Sequence, residues 1–369
     1  MSRERTPLLG LNRRARVLLP IFMLLLLALT IRRLTAPEPD FLSELSGSTM
    51  GTTWAVKVRA PEASAGEISR LREAIRGRLD LVDSLMSSYH SESEISRFNR
   101  FASTEPFPLS QATLEVLALA QEVSELSGGA FDVTVGPLVA AWGFGVASTG
   151  ASEAPPSAPT AGELASVRER VGYGLLDLEL ATGRISKAHP EVECDLSAIA
   201  KGYAVDQLVA VLRDLGYRDF LVEVGGELAA RGRRPDGTRW RVAIERPDAL
   251  GRSIYAVVGL EDQAMATSGD YRNFYQRDGV RLSHLIDPRV GRPIAHRLAS
   301  VSVVDPSAAR ADALATALSV LGPVDGPALA EREGIPAYFI LRAEAGETEN
   351  LATSGFAGLL LREPQSEQR

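Results

Sequence analysis

The chain is 369 residues long, 45% apolar and 24% charged, with a formal net charge of -7. That length holds one large or two ordinary domains of globular composition, and the acidic balance argues against nucleic acid as a partner, because phosphate backbones select basic faces. A lone cysteine, Cys194, excludes an internal disulfide and thiol–metal clusters, and four scattered histidines leave any bound metal to be a hard ion held by oxygen.

Arg3, Arg5, Arg13, Arg14 and Arg16 precede an apolar run from Val17 to Ile31, which Arg32 and Arg33 close. A basic segment followed by a hydrophobic core is the signature of export. The run has roughly 15 residues against the ~20 of a full span, but it is rich in leucine and its flanking arginines can snorkel. A cleavage site is poorly formed, and no cysteine follows to carry a lipid. The reading is an uncleaved signal anchor over residues 1–36, with a cleaved signal peptide as the alternative. Either places the body outside the cytoplasm. Residues 37–47 then form a stiff linker, 48–362 the folded domain and 363–369 a disordered tail.

Met50–Val58 reads as a strand, and Ile68, Leu71, Ile75, Leu79, Val82 and Leu85 mark an amphipathic helix from Ala65 to Met86. Ser87–Asn99 reads as a polar loop punctuated by aromatics. A second helix, Gln111–Ser127, has Ser110 as its cap and Gly128-Gly129 as its stop. Glycines crowd the aromatics of 129–145, which fits either backbone lying close to a flat ligand or a tightly packed turn. The Ala/Ser/Pro/Gly-rich stretch 146–162 reads as an exposed loop, followed by a short helix, Glu163–Val171, and strands near 175–180 and 184–186.

The central stretch, Glu193–Asp206, opens on an acid and a hydroxyl and runs into apolar residues at helical spacing. Asp195 or Ser197 reads as the helix cap, and Lys201 lies roughly one and a half turns in. A helix start with a nearby cation suits phosphate, although an ordinary capped amphipathic helix has the same features. Beyond it come a strand over 219–224 running into Gly225-Gly226, then strands at Trp240–Glu245, Tyr255–Leu260, Ala264–Thr267, Arg281–Ile286 and Leu298–Val304. A helix from Ala308 to Leu321 precedes hairpin-forming strands at Ala337–Leu341 and Gly358–Leu361. Many strands with a few long helices between them imply an α+β fold, a largely antiparallel β-sheet core with flanking helices, preceded by the single N-terminal hydrophobic anchor helix.

Asp312 and Thr316 stand at i, i+4, so their oxygens share one helix face. They hold magnesium only if a carbonyl, water and substrate phosphate complete the octahedron; otherwise Asp312 is a solvated helix residue. His284, at a strand end, is either a general base or a structural histidine donating to a carbonyl. Asp195 and Lys201 could form a simple ion pair, and Tyr89 and Phe131 read as core residues by base rates, with a stack on a ring as the alternative.

Taken together, the motifs resemble the FAD:protein FMN transferases, the ApbE family. The pieces are Met50-Gly51-Thr52; Tyr89 with Ser93–Asn99; Gly129–Pro137; Asp195–Asp206; Gly225-Gly226-Glu227; Thr267–Asn273; His284–Pro288 with Gly291-Arg292-Pro293; and Ala311–Ala317. The resemblance implies transfer of the FMN half of FAD to a threonine or serine of a target flavoprotein through a phosphoester, with release of AMP. By the same resemblance Met50, Tyr89, Ala130, Phe131, Asp132, Asp195, Lys201 and Ile286 line the FAD site. The resemblance also implies that the Ala198 carbonyl, Asp312 and Thr316 hold Mg2+, and phosphoryl-transfer chemistry then expects Lys201 to neutralise pyrophosphate charge, with His284 the candidate to accept the hydroxyl proton. The implied acceptor is an exported or membrane-bound flavoprotein with an Asp-x-x-Ser/Thr-Gly-Ala/Ser-Thr-like segment. The implied location is the bacterial inner membrane, with the catalytic domain on the periplasmic side. A magnesium-dependent FAD pyrophosphatase giving FMN and AMP, and an exported FAD-binding protein without catalysis, are the alternatives. Glu223 departs from a family asparagine, and Thr149-Gly150-Ala151-Ser152 resembles the tail of an acceptor motif in a lengthened loop.

Overall fold

Side chains alternate across a strand, so a strand covered on both faces buries nearly every position. The inner strands of this protein read that way, because the main sheet lies between a layer of helices and a second, smaller sheet. The computed structural model describes residues 44–59, 64–145, 158–247, 253–270, 274–277, 280–343 and 348–362. The N-terminal segment, the 363–369 tail, Tyr271–Asn273 and Thr149–Ser152 lie outside the described residues.

In chain order the elements are β1 (Leu45–Thr49), β2 (Thr52–Val58), α1 (Ala65–Met86), α2 (Glu94–Arg100), β3 (Phe107–Pro108), α3 (Gln111–Leu126), α4 (Gly136–Ala141), α5 (Ala161–Arg168), β4 (Leu176–Glu179), β5 (Arg184–Lys187) and α6 (Ala200–Asp214). There follow β6 (Phe220–Val224), β7 (Glu227–Arg231), β8 (Trp240–Glu245), β9 (Ile254–Leu260), β10 (Gln263–Gly269), β11 (Phe274–Arg277), β12 (Val280–Ser283), β13 (Ile286–Asp287), β14 (Arg292–Pro293) and β15 (Leu298–Asp305). The chain closes with α7 (Ala308–Arg332), β16 (Ala337–Arg342), β17 (Thr348–Ala352), α8 (Ser354–Ala357) and β18 (Leu360–Arg362).

The main sheet has the order β1-β2-β6-β7-β10-β15-β16-β17, and each of its pairings is antiparallel. The expected α+β class therefore holds. One face, with Val222, Ala229, Ala266, Val301 and Phe339, packs under the helices. The other, with Leu228, Met265, Val304, Tyr338 and Ile340, packs on the sheet β18-β9-β8 through Val242, Ala256 and Val258. Helix α7 lies against β10 and β15 and crosses α6, which in turn meets α1. By length and apolarity α7 could cross a membrane, but most of it is buried against the sheet, as in the core helix of a globular body.

Helices α6 and α7 cross at very short range. A Cβ on Gly202 would sit 2.6 Å from the Ala308 carbonyl carbon and 2.7 Å from the Ala309 Cα, with the Ala308 oxygen closer still. Only glycine lets the two backbones approach this closely. Asp206, one turn on, caps α7 across the gap: its carboxylate accepts from Ser307 Oγ at 2.7 Å and from the amides of Ala308 and Ala309 at 2.8 and 3.0 Å. An anion at the N-terminus of a helix satisfies free amides and matches the dipole.

Several expectations are corrected. Helix α6 starts at Ala200, not at Asp195 or Ser197; Ile199 occupies the cap position without a side-chain bond. Asp195 instead accepts from the Ser197 amide at 3.0 Å, closing a turn ahead of the helix, so Lys201 falls in the first turn. The Ser87–Asn99 stretch is not all loop, because Ser93 caps α2, accepting from the Ser96 amide at 3.1 Å. Ile95 and Phe98 are too few for a visible helical period, yet both are fully buried. Helix α7 continues past Leu321 to Arg332 through a kink at Gly322, whose φ of 80° takes it out of helical geometry. The stretch Arg281–Ile286 splits between β12 and β13. The closing strands form no hairpin with each other: β16 is an inner strand of the main sheet, whereas β18 pairs with β9. Alternation reveals a strand but not its partner.

Candidate active site

A cavity of about 1020 Å3 is lined by the start of α6, the β6–β7 turn, α7 and the segments 130–145 and 284–288. Its polar end is built on Lys201. The Lys201 Nζ lies 3.0 Å from Glu227 Oε1 and 3.5 Å from Asp312 Oδ2. Burial acts to lower the ammonium, but Asp312 and Glu227 outweigh it and hold Lys201 above the usual lysine range. Two buried carboxylates share this one cation. Glu227 is 3% exposed, and burial, opposed by Lys201 and reinforced by Asp312, holds its carboxyl above the usual glutamate range. Gly225, at φ 62°, makes room for the lysine stem, since a Cβ there would meet Lys201 Cδ at 3.1 Å and Thr52 Cγ2 at 2.9 Å.

The oxygens expected to hold magnesium meet a structural test. Asp312 is 4% exposed, and both of its protein contacts fall on Oδ2: the Gly202 amide at 3.1 Å and Lys201. Among the described residues Oδ1 has no partner. Because the Gly202 amide turns to Asp312, no backbone N–H among the described residues donates to the Ala198 carbonyl. Ala198, Asp312 and Thr316 all stand on the cavity wall. Among the described residues there is no cluster of three His, Cys, Asp or Glu groups that could hold a metal. A carbonyl, a carboxylate and a hydroxyl form a hard-oxygen set of the kind that suits magnesium when phosphate and water complete it.

The apolar end is aromatic. Phe131 is 2% exposed and packs into the core, as the core reading has it, and it also reaches the cavity wall. Tyr89 stands 64% exposed at the rim. Ala130 and Ile286 complete this side, and His284 reaches the wall just after β12. Asp195 also lines the cavity; its Oδ1 accepts from Ser88 Oγ at 3.2 Å, tying the Tyr89 segment to the turn before α6. It pairs with serines, and the ion pairs of Lys201 go to Glu227 and Asp312. Asp132 braces the segment behind Phe131, accepting from the Thr134 amide at 2.8 Å, Thr134 Oγ1 at 2.6 Å and the Tyr173 amide at 2.8 Å. Burial raises its carboxyl above the usual aspartate range, and these bonds only partly offset the rise.

Met50 is the one expected residue that is not on the cavity wall. It packs against the core in the β1–β2 turn with φ at 48°. Among the wall residues outside the expected set, three bear on the site. Phe144 and Tyr275 form an aromatic pair, ring centroids 4.7 Å apart at 30°, with the Tyr275 hydroxyl donating to the Gly143 carbonyl at 3.1 Å. The glycines around Phe144 are a visible signal for that residue, whereas Tyr275 carries none. Glu227 stands directly after the double glycine, and nothing local ties it to Lys201.

The cavity therefore offers a lysine-bridged acid pair and aromatic walls to whatever it binds. The ApbE family model matches residues 50–339, and the chain belongs to that family. A relative from Vibrio cholerae serotype O1 named FAD:protein FMN transferase is 43% identical over 317 residues, covering 86% of this chain and 92% of its own. The structure titled flavin transferase ApbE from Vibrio cholerae superposes with a TM-score of 0.77 at 42% identity, covering 88% of this chain and all of that one. The apo Pseudomonas stutzeri flavinyl transferase ApbE gives 0.77 at 40% identity, over 88% of this chain and 98% of its own.

Proposed function

We propose that this chain is an FAD:protein FMN transferase, moving the FMN half of FAD to a serine or threonine hydroxyl of a flavoprotein and releasing AMP. The observation that carries the reading is the joining, in one cavity, of the Lys201–Asp312 pair to the aromatic wall of Phe131, Phe144 and Tyr275. A dinucleotide with a planar ring needs both ends at once. The aromatic wall receives the isoalloxazine by stacking, and the Lys201 ammonium faces the pyrophosphate. Magnesium, held by the Ala198 carbonyl, Asp312 and Thr316, would spread the charge of the phosphate oxygens. His284 takes the proton of the acceptor hydroxyl as its oxygen bonds to the phosphorus nearer riboflavin. The bond from that phosphorus to the bridging oxygen breaks in line, and AMP leaves with the electron pair.

The basic–apolar–basic N-terminus supports placing the body on the periplasmic side of the inner membrane, facing an exported or membrane-bound acceptor. The test incubates the full chain with FAD, magnesium and a small protein carrying an Asp-x-x-Ser-Gly-Ala-Thr segment. A gain of one FMN in the acceptor's intact mass, lost with EDTA, is the expected result. AMP and free FMN without an adduct would replace the reading by FAD hydrolysis.

A further inference from the structure

We propose that Glu227 is the positioning residue of the phosphoryl-transfer site: it holds the Lys201 ammonium away from the metal-binding oxygen of Asp312. The inference rests on the flavin-transfer reading above and adds a residue to it. Strand β7 is buried at all five positions, and the other four are Leu228, Ala229, Ala230 and Arg231. An apolar side chain at 227 would suit that strand. The glutamate found there leaves Oε2 buried with no hydrogen-bond partner among the described residues, and a buried polar atom left unpaired is a standing cost to the fold. Its ion pair is the contact of Oε1 with Lys201 at 3.0 Å.

Geometry shows what that contact does. Lys201 carries a flexible four-carbon stem and three N–H donors. Asp312 alone would draw the ammonium onto whichever oxygen it could reach, including Oδ1, the one left for the metal. Glu227 supplies the nearer anchor, 3.0 Å against 3.5 Å, so Lys201 touches Asp312 only at Oδ2, beside the Gly202 amide. Two of the three donors are then spent on Glu227 and Asp312, and one remains for phosphate. The lysine is aimed by two acids rather than neutralised by one.

The test is a mutant cycle of E227M, E227Q and K201M with the double variant E227M/K201M, all as the full chain. Methionine fills the volume without accepting a hydrogen bond, whereas glutamine keeps an acceptor for Lys201. The expected result is a kcat reduced roughly 100-fold in E227M, as a misplaced group in a transfer site gives. E227Q recovers most of that loss, and the double variant is no slower than K201M. Melting curves check folding, and E227Q carries the test if E227M does not fold. Wild-type kcat in E227M, no recovery in E227Q, or multiplicative losses in the double variant would each overturn the proposal. FAD affinity, read from flavin fluorescence with EDTA present, runs through the same cycle. If the wild type binds FAD without transferring or cleaving it, the functional reading fails and the affinity cycle alone decides the coupling of Glu227 to Lys201. If the wild type does not bind FAD, both readings fall.

Discussion

Replacing Gly202 by alanine probes how the α6–α7 crossing sets the cavity. The new Cβ would lie 2.6 and 2.7 Å from backbone carbons of Ala308 and Ala309. Carbon atoms rest about 3.5–4.0 Å apart, so the helices must part by roughly 1 Å. Overpacking of this kind costs about 1–3 kcal/mol, against about 1 kcal/mol gained when alanine replaces glycine inside a helix. Parting the helices also stretches the three bonds from Asp206 to the start of α7, each worth about 1 kcal/mol or more. A net loss of roughly 2–3 kcal/mol results. Lys201 and Asp312 face each other across the same crossing, so FMN transfer falls by about 100-fold as well. Gly77 is the internal control: it sits on the exposed side of α1, where an added Cβ meets nothing within 4 Å. There the same change stabilises by about 0.5–1 kcal/mol and leaves transfer alone. Urea unfolding with parallel AMP-release assays reads both variants. Equal shifts in the two, or a G202A protein as stable as the wild type, would refute the close-approach argument.

The same geometry sets other outcomes. On the proposed mechanism, Asp312→Ala abolishes magnesium-dependent AMP release while the protein stays folded; full turnover would overturn the assignment of Asp312 to the metal. Asp206→Ala strips three acceptor contacts from the first turn of α7 and lowers the urea midpoint by the equivalent of about 2–4 kcal/mol, with the loss smaller in Asp206→Asn. Asp132 has its folded carboxyl raised by burial, so its contribution to stability is full in acid and declines as pH rises from the ordinary aspartate range through the raised value. Asp132→Asn removes that slope from urea stabilities measured between about pH 3.5 and 6; an unchanged slope would assign it to other groups. Phe144→Ala weakens FAD binding roughly tenfold by breaking the pair with Tyr275, as read by flavin fluorescence.

Much of the site was legible because its elements announce themselves locally. The i, i+4 spacing of Asp312 and Thr316 predicts a shared helix face, and both reach the cavity. Gly129–Pro137 carries Ala130, Phe131 and Asp132 to the wall as one piece. The cap of α6 was misplaced because Asp195 and Ser197 bond each other in a turn, a local alternative with the same composition as a cap. Met50 shows the opposite limit: a motif residue at a strand turn whose side chain goes to the core.

The amino-acid sequence by itself determined the helices with a clear period or cap, such as α1 by its period and α3 by its Ser110 cap, the alternation of the strands, and a helix start bearing a lysine. Those signals reach only a few residues along the chain. Tertiary structure decided which distant residues meet. Lys201, Glu227 and Asp312 come from α6, β7 and α7, and neither ion pair of the lysine leaves a mark in local spacing. It also decided that β16 enters the main sheet while β18 joins β9, since alternation buries a face without naming the neighbour that covers it. Among the described residues, the Ala198 carbonyl accepts from no backbone amide, because Gly202 lets two helices touch and its amide turns from one helix to Asp312 Oδ2 on the other.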